Sequence, residues 1–346
     1  MMRCFVLFLI VNFWAAIFLN SALGEIIAHD SLSQKSLFKA EFRVDIGNIL
    51  PTNDFVKSQN TDGDGLAHYQ AYSLRFARQT IGDKLWEKLY GYPVYGVGIY
   101  TAYFKNTPKL GNPIAVYGFF NAPFYRLNKW SLNYELGLGL TFNWNSYDPV
   151  KNPNNIALSA DKSVYIDAGV SLKYKLNNKM ALGIGYGFTH FSNGAIKLPN
   201  KGLNSTSAKI NLTYLLSNRP EIFHSPVVQP FRPFYEWSIS GYGGVRNMLY
   251  LGSGVSQSAA MKGVNYTVYG INNTLNKQID YKSKIGIGIT MEFNGSQNSQ
   301  IVLEGGSPDA TDLPFTQHLA FSVYPSYELV IHKLSLIFSQ DFTSTE

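Results

Sequence analysis

The segment from Trp130 to Trp144 alternates without interruption between bulky apolar residues and small or polar residues. A β-strand places these two sets on opposite faces. The segment is longer than a typical strand of a globular protein. Trp130 and Trp144 stand at the two ends of its apolar face, as in the aromatic girdles of outer-membrane barrels.

The same alternation recurs along the chain, and no later segment is long and apolar enough for a membrane helix. Charged residues make up only 15% of the chain, against about a quarter in soluble proteins. In a membrane barrel the apolar face meets lipid and the polar face lines the interior. We therefore predict an all-β fold, a transmembrane antiparallel up-and-down β-barrel of about 12–14 strands. The predicted strands lie near residues 38–50, 67–79, 95–105, 112–123, 130–144, 162–176, 179–192, 204–217, 232–246, 263–275, 282–294, 316–329 and 331–342.

The ends and the middle of the chain bear on its domain organisation. Residues 1–24 combine one basic residue, an apolar run and small residues, which predicts a secretory signal peptide. Residues 25–346 are then the outer-membrane barrel, and they contain no cysteine, because Cys4 lies in the signal. The predicted strand number is odd, whereas bacterial barrels have even numbers, and the chain has no terminal aromatic residue. Either a strand is missed or split in this prediction, or the chain stops before the final strand. Proline-rich residues 218–233 leave an alternative open, an eight-stranded first half with an appended second unit.

One predicted strand, residues 179–192, ends its apolar face in two polar residues. His190 and Ser192 share the face of Phe188, so both point outward from the barrel. A serine hydroxyl becomes a nucleophile when a histidine accepts its proton. The pair therefore predicts a hydrolytic site whose substrate is an acyl ester of a lipid.

Such a site needs a group that orients the histidine and donors that stabilise an oxyanion. The loop after the strand offers the side chains of Asn193 and Asn200 and the backbone N–H of Gly194. On the next predicted strand, Asn204 and Thr206 face outward and would stand beside the histidine. The alternative is that these are ordinary polar residues where the strand leaves the membrane.

The stretch from His190 to Asn204, HFSNGAIKLPNKGLN, resembles the signature of the lipid A 3-O-deacylase family, the PagL type. The family pattern runs His-x-Ser-Asn, then Lys-x-Pro-Asn, then a glycine and the acid. The matching residues are His190, Ser192, Asn193, Lys197, Pro199, Asn200 and Gly202. The specific match covers residues 165–217, and residues 92–120 are similar, with less specificity, to longer members of the family.

The resemblance implies an outer-membrane barrel hydrolase with an outward-facing serine–histidine–acid triad. It makes Ser192 the nucleophile and His190 the base, with Asn193 and Asn200 serving the oxyanion. The acid's position is held by Asn204, which departs from the family. An asparagine can hold a histidine tautomer but does not stabilise the imidazolium by charge, so we expect slower chemistry. A second departure is size, since the typical enzyme has eight strands.

We therefore expect a carboxylic ester hydrolase that acts on lipid A of lipopolysaccharide in the outer leaflet of the bacterial outer membrane. Lys197 would meet lipid A phosphates, or would be a solvated loop lysine. The scattered histidines show no metal-ligand spacing, so we expect no metal and no cofactor, and the mild formal charge of +6 gives no reason to expect nucleic acid. Two alternatives stay open: a non-enzymatic porin or transporter with a relic motif, and a phospholipase.

Overall fold

A computed structural model describes residues 37–57, 66–104, 107–194, 196–218, 221–223, 227–248, 264–297, 314–340 and 342–343. The fold of these residues is almost entirely β-sheet, with three short α-helices and one 3-10 helix, Phe315–His318. The strands are β1 (Leu37–Ile49), β2 (His68–Gln79), β3 (Val94–Phe104), β4 (Gly111–Leu127), β5 (Trp130–Trp144), β6 (Ser163–Lys175), β7 (Met180–Ser192), β8 (Leu203–Leu215), β9 (Phe234–Met248), β10 (Val264–Gln278), β11 (Ser283–Asn294), β12 (Leu319–Ile331), β13 (Leu334–Ser339) and β14 (Phe342–Thr343). The helices are α1 (Asp54–Lys57), α2 (Leu85–Leu89) and α3 (Thr107–Leu110).

Strands β1 to β8 form a closed antiparallel barrel in chain order. The barrel closes where β1 pairs with β8, in a register that runs from Lys39 opposite Leu215 to Ile49 opposite Ser205. Closure leaves this sheet without free edges, so its backbone groups are satisfied even in hydrocarbon.

The period-two pattern decides which side chains face outward. Large apolar residues such as Leu74, Ile99 and Ile184 lie on the barrel exterior, where 58–66% of each side chain is exposed. A band of this kind is what an outer-membrane barrel presents to lipid, so the predicted all-β transmembrane barrel is confirmed. None of the described helices is long and apolar enough to cross a bilayer.

Charged side chains fill the middle of the barrel interior. Arg43 donates from Nη1 to Glu135, at 2.8 Å, and to Asp167, at 3.2 Å. Arg75 bridges Glu41 and Glu135 at 2.7 and 2.6 Å. All of these side chains are buried, and each charge lies against an opposite one, which buried charges require. The interior is therefore packed rather than open.

Aromatic rings fill the interior nearer the end at which β7 finishes. Tyr100, Tyr165 and Phe191 are each no more than 1% exposed and pack against one another with ring centroids 5.1–6.2 Å apart. Trp144 meets Phe191 edge-on at 5.0 Å. Together these rings fill the end of the barrel interior that lies beneath the loops following β5 and β7.

The remaining strands form a separate six-stranded sheet in the order β13-β12-β11-β10-β9, with β14 also paired to β12. Its two faces differ as they do in the barrel. Ile287 and Ile289 are 58–59% exposed on one face, whereas Lys284 on the other reaches Glu236 at 2.9 Å and Glu328 at 3.4 Å.

The segment that connects the barrel to this sheet rests on the barrel end opposite the site loops. Glu221 pairs with Lys39 at 2.6 Å and also with Lys175. Burial raises the pKa of Glu221, but the two ammonium groups outweigh it and lower that pKa to about 2. Phe223 stacks on Tyr92 with ring centroids 4.6 Å apart.

Every strand predicted from the sequence overlaps an observed one, and the described residues contain fourteen strands in all, against the 12–14 predicted for one barrel. Their distribution differs from the single barrel predicted over residues 25–346. Eight strands close the barrel, and the rest stand as an appended sheet, which is the alternative the proline-rich residues left open. The pattern of faces is the same in a closed and an open sheet, so alternation alone did not reveal where closure occurs. The predicted signal peptide lies outside the described residues and stays a prediction.

We predict that replacing Arg43 with methionine destabilises the barrel. The change leaves Glu135 and Asp167 buried near each other without their shared cation, which costs about 3–5 kcal/mol for a broken buried pair. The measurement is the temperature at which the fast-migrating folded band disappears in a heat-modifiable gel. Lys57→Met, at a side chain that is 56% exposed, is the control and should leave that temperature unchanged. Equal temperatures for both variants would contradict the role given to Arg43.

Candidate active site

The histidine of the site is paired with an asparagine on the neighbouring strand. The register of β7 and β8 sets His190 opposite Asn204. Their side chains meet, with His190 Nδ1 2.6 Å from Asn204 Oδ1. Both are half-buried on the outward face of the barrel, in line with the exposed Tyr186 and Phe188. When Nδ1–H donates a hydrogen bond to Asn204 Oδ1, the other ring nitrogen, Nε2, is unprotonated and can accept a proton.

The serine hydroxyl receives two donors from the loop after β7. Asn200 Nδ2 lies 2.8 Å from Ser192 Oγ, and the backbone N–H of Gly194 lies 3.2 Å from it. Within this described site no direct hydrogen bond joins Ser192 to His190, although the two share a strand face two residues apart. Catalytic hydrogen bonds are often looser before substrate binds, and the hydroxyl proton of Ser192 remains free to be donated.

A neighbouring loop holds the site loop against the barrel. The backbone N–H groups of Lys201 and Gly202 donate to the carbonyls of Ile156 and Ala157, both at 3.0 Å. Ala157 and the following Leu158 are fully buried. The loop that carries the two donors is therefore tied to the solid outer end of the barrel.

Two of the predicted oxyanion and substrate residues take other positions. The side chain of Asn193 turns inward, is 7% exposed, and donates to Ser159 Oγ at 2.9 Å and to the carbonyl of Lys197 at 3.0 Å. Its backbone N–H donates to Asn200 Oδ1 at 3.3 Å, which orients the Asn200 amide. The Lys197 side chain is exposed in the loop. Geometry therefore favours Asn200 and the Gly194 N–H as donors beside the hydroxyl.

Sequence reasoning missed Thr52, in the turn after β1. Asn204 Nδ2 donates to Thr52 Oγ1 at 3.1 Å. The two residues are far apart in the chain, and no periodicity marks the turn, so nothing in the sequence pattern indicated the contact. A second histidine–asparagine pair, Asn48 Oδ1 and His68 Nδ1 at 2.7 Å, lies on the outward face of β1 and β2.

Two glycines of the site loop have left-handed backbone conformations. Gly202 has φ +73°, and a Cβ there would come within 3.0 Å of His190 Cε1. Gly194 has φ +67°, but a Cβ there would meet nothing within 4 Å. A residue with a side chain would be strained at either position. Only at Gly202 would the side chain also crowd the imidazole of His190.

We predict that Gly202→Ala slows the reaction of Ser192 with a fluorophosphonate, which labels activated serines, more than Gly194→Ala does. Both variants bear similar backbone strain, but only the methyl group at position 202 displaces His190. The expected difference in labelling rate is about tenfold or more, which corresponds to a rise of roughly 1.4 kcal/mol in the activation free energy when the base is misplaced. Labelling rates are compared on protein shown to be folded by gel mobility. Equal rates would mean that His190 does not activate the serine.

Two family models match the chain in succession. The model described as lipid A 3-O-deacylase (PagL) matches residues 70–213. The model described as the C-terminal domain of acyloxyacyl hydrolase matches residues 235–340. The first range includes β7 and the loop residues of the candidate site, and the second covers most of the separate sheet. No curated protein matches the chain.

Solved structures give weaker likenesses. The crystal structure of the outer-membrane enzyme PagL has 17% identity and a TM-score of 0.34, and covers 49% of this chain and 97% of that chain. Neisserial surface protein A has 11% identity and a TM-score of 0.31, covering 51% and 96%. BamA from Haemophilus ducreyi lacking POTRA domains 1-3 has 11% identity and a TM-score of 0.25, covering 90% and 68%. No conclusion about activity follows from likenesses at these TM-scores.

The resemblance predicted from His190–Asn204 is thus confirmed by a match over a far longer range. The barrel of this outer-membrane protein matches the lipid A 3-O-deacylase family over residues 70–213, and its separate sheet matches the acyloxyacyl hydrolase C-terminal domain over residues 235–340.

Proposed function

We propose that this protein removes an ester-linked acyl chain from lipid A, with Ser192 as the nucleophile and His190 as the base. The observation that carries the proposal is the arrangement on one outward strand face. A serine hydroxyl with two hydrogen-bond donors stands there beside a histidine whose other nitrogen is held by Asn204. These are the parts that an acyl-serine mechanism requires.

In the first half of the reaction, Ser192 Oγ attacks the ester carbonyl carbon while its proton passes to His190 Nε2. The carbonyl oxygen becomes an oxyanion, and the Gly194 N–H and the Asn200 amide donate hydrogen bonds to it. His190 then gives the proton to the sugar oxygen as the bond from that oxygen to the acyl carbon breaks. The released product is the deacylated lipid, and the acyl chain stays on the serine.

In the second half, a water molecule attacks the acyl-serine while His190 accepts its proton. The fatty acid leaves, and the proton returns to Ser192 Oγ. Asn204 Oδ1 accepts a hydrogen bond from Nδ1–H throughout, which keeps Nε2 available to accept and return the proton. Because an amide carries no charge, it stabilises the imidazolium less than a carboxylate would, so we expect a modest rate of acyl release.

The outward face of the site favours a membrane lipid over a soluble ester. The exposed Tyr186 and Phe188 lie on the strand below the pair, and acyl chains would lie along them. Lys197 and Lys201 are exposed in the site loop. Their ammonium groups would attract the phosphates of a lipopolysaccharide headgroup in the outer leaflet.

The porin alternative lacks support from the barrel interior, because the charged and aromatic layers of the described residues block its middle and the end nearer the site loops. The phospholipase alternative uses the same chemistry on a glycerolipid ester. Supplying both lipids to one preparation distinguishes the two substrates, since each would lose the mass of one acyl chain.

We predict that Ser192→Ala abolishes acyl release, by at least about 10³-fold, since no other group replaces the nucleophile. The measurement is mass spectrometry of lipid A incubated with folded protein, which should lose the mass of one acyl chain. Ser146→Ala, at another serine of the outer loops, is the control and should keep full activity. Unchanged release by Ser192→Ala would refute the proposed nucleophile.

We predict that Asn204→Asp raises the rate of acyl release by about tenfold or more, because a carboxylate stabilises the imidazolium formed in the transition state. Asn48→Asp makes the same change in the second histidine–asparagine pair and should leave the rate as it was. The same mass assay, followed over time, gives both rates. A lower rate in Asn204→Asp, with the barrel folded, would show that Asn204 does not act on the base.

A further inference from the structure

An asparagine beside a catalytic histidine has a problem that a carboxylate does not have. The amide of Asn204 has one acceptor, Oδ1, and one donor group, Nδ2. If Oδ1 faces His190 Nδ1, the ring carries its proton there, and Nε2 can act as a base. If the amide is rotated by half a turn, Nδ2 donates to Nδ1, the ring proton moves to Nε2, and the base is lost.

The surroundings of Asn204 favour one of these two orientations. Nδ2 donates to Thr52 Oγ1 at 3.1 Å while Oδ1 lies 2.6 Å from His190 Nδ1. The Thr52 hydroxyl lies 3.5 Å from the carbonyl of Leu50, to which it donates its own proton. With that proton engaged, the hydroxyl presents a lone pair to the Asn204 amide.

The turn that carries Thr52 is fixed to the same part of β8. The backbone N–H of Leu50 donates to the carbonyl of Asn204 at 2.8 Å. Asn53 Nδ2 donates to the carbonyl of Gly202 at 3.0 Å. Phe55, in the helix that follows, is 1% exposed and anchors the turn in the apolar interior. The backbone that carries Thr52 is therefore held against β8, beside Asn204.

We propose that Thr52 is a positioning residue that selects the catalytic orientation of Asn204, and through it the tautomer of His190. The proposal rests on the function proposed above. Thr52 acts on the amide alone and does not touch the reacting atoms. A carboxylate at position 204 would make it dispensable, since both carboxylate oxygens accept hydrogen bonds.

The test is a comparison of three variants in the mass-spectrometric assay with lipid A. Thr52→Val keeps the shape of the side chain but removes the hydroxyl, and should lower kcat about two- to tenfold, the effect of one neutral hydrogen bond. KM should stay unchanged. Thr52→Ser keeps the hydroxyl and should retain wild-type kcat. Thr101→Val, at an exposed outward-facing threonine of β3, is the control for the loss of a surface hydroxyl.

A double-mutant cycle separates positioning from a structural role. In the Asn204→Asp background, Thr52→Val should change kcat less than twofold, because the carboxylate has no wrong orientation. The same loss in both backgrounds would overturn the proposal, as would wild-type kcat in Thr52→Val. If Thr52→Val does not fold, Thr52→Ala replaces it. Failure of the proposed function itself would appear separately, as undiminished acyl release by Ser192→Ala.

Discussion

The pairing of β1 with β8 is the contact on which the candidate site depends. It closes the barrel, and it also sets β8 between β7 on one side and β1 on the other. Asn204 therefore has His190 beside it on β7 and, just beyond the last paired residue of β1, the turn that carries Thr52. Groups drawn from three separate parts of the chain meet only because the sheet closes at eight strands.

A barrel of only eight strands has a narrow interior that side chains fill, and this limits how a substrate can reach the candidate site. Eight strands leave an interior that side chains can fill, and here buried ion pairs and aromatic rings fill it. An aqueous lumen is therefore not the route to the site. Under the proposed function, a substrate would reach Ser192 from outside the barrel, along the face that carries the exposed apolar residues, which suits a molecule already dissolved in the membrane.

The alternation of residues was enough to predict the strands, their faces and the outward direction of His190 and Ser192. It was also enough to bring Asn204 beside His190, because adjacent strands joined by a loop pair antiparallel. The alternation did not predict the turn with Thr52 or the inward rotation of Asn193. Loops have no periodicity, so their contacts depend on backbone turns such as those at Gly194 and Gly202 and on the tertiary closure that brings distant loops together.

An uncharged residue at position 204 has a physical advantage that partly offsets its weaker effect on the imidazolium. His190 and Asn204 lie half-buried on the outward face of the barrel, where an ionised carboxylate would lose part of its hydration at a cost in free energy. An amide avoids the desolvation cost of a charge, but its two ends are chemically different, so its orientation has to be imposed from outside. In the proposed arrangement Thr52 supplies that constraint, with its Oγ1 3.1 Å from Asn204 Nδ2. An asparagine at position 204 therefore depends on the turn that holds Thr52 as well as on His190.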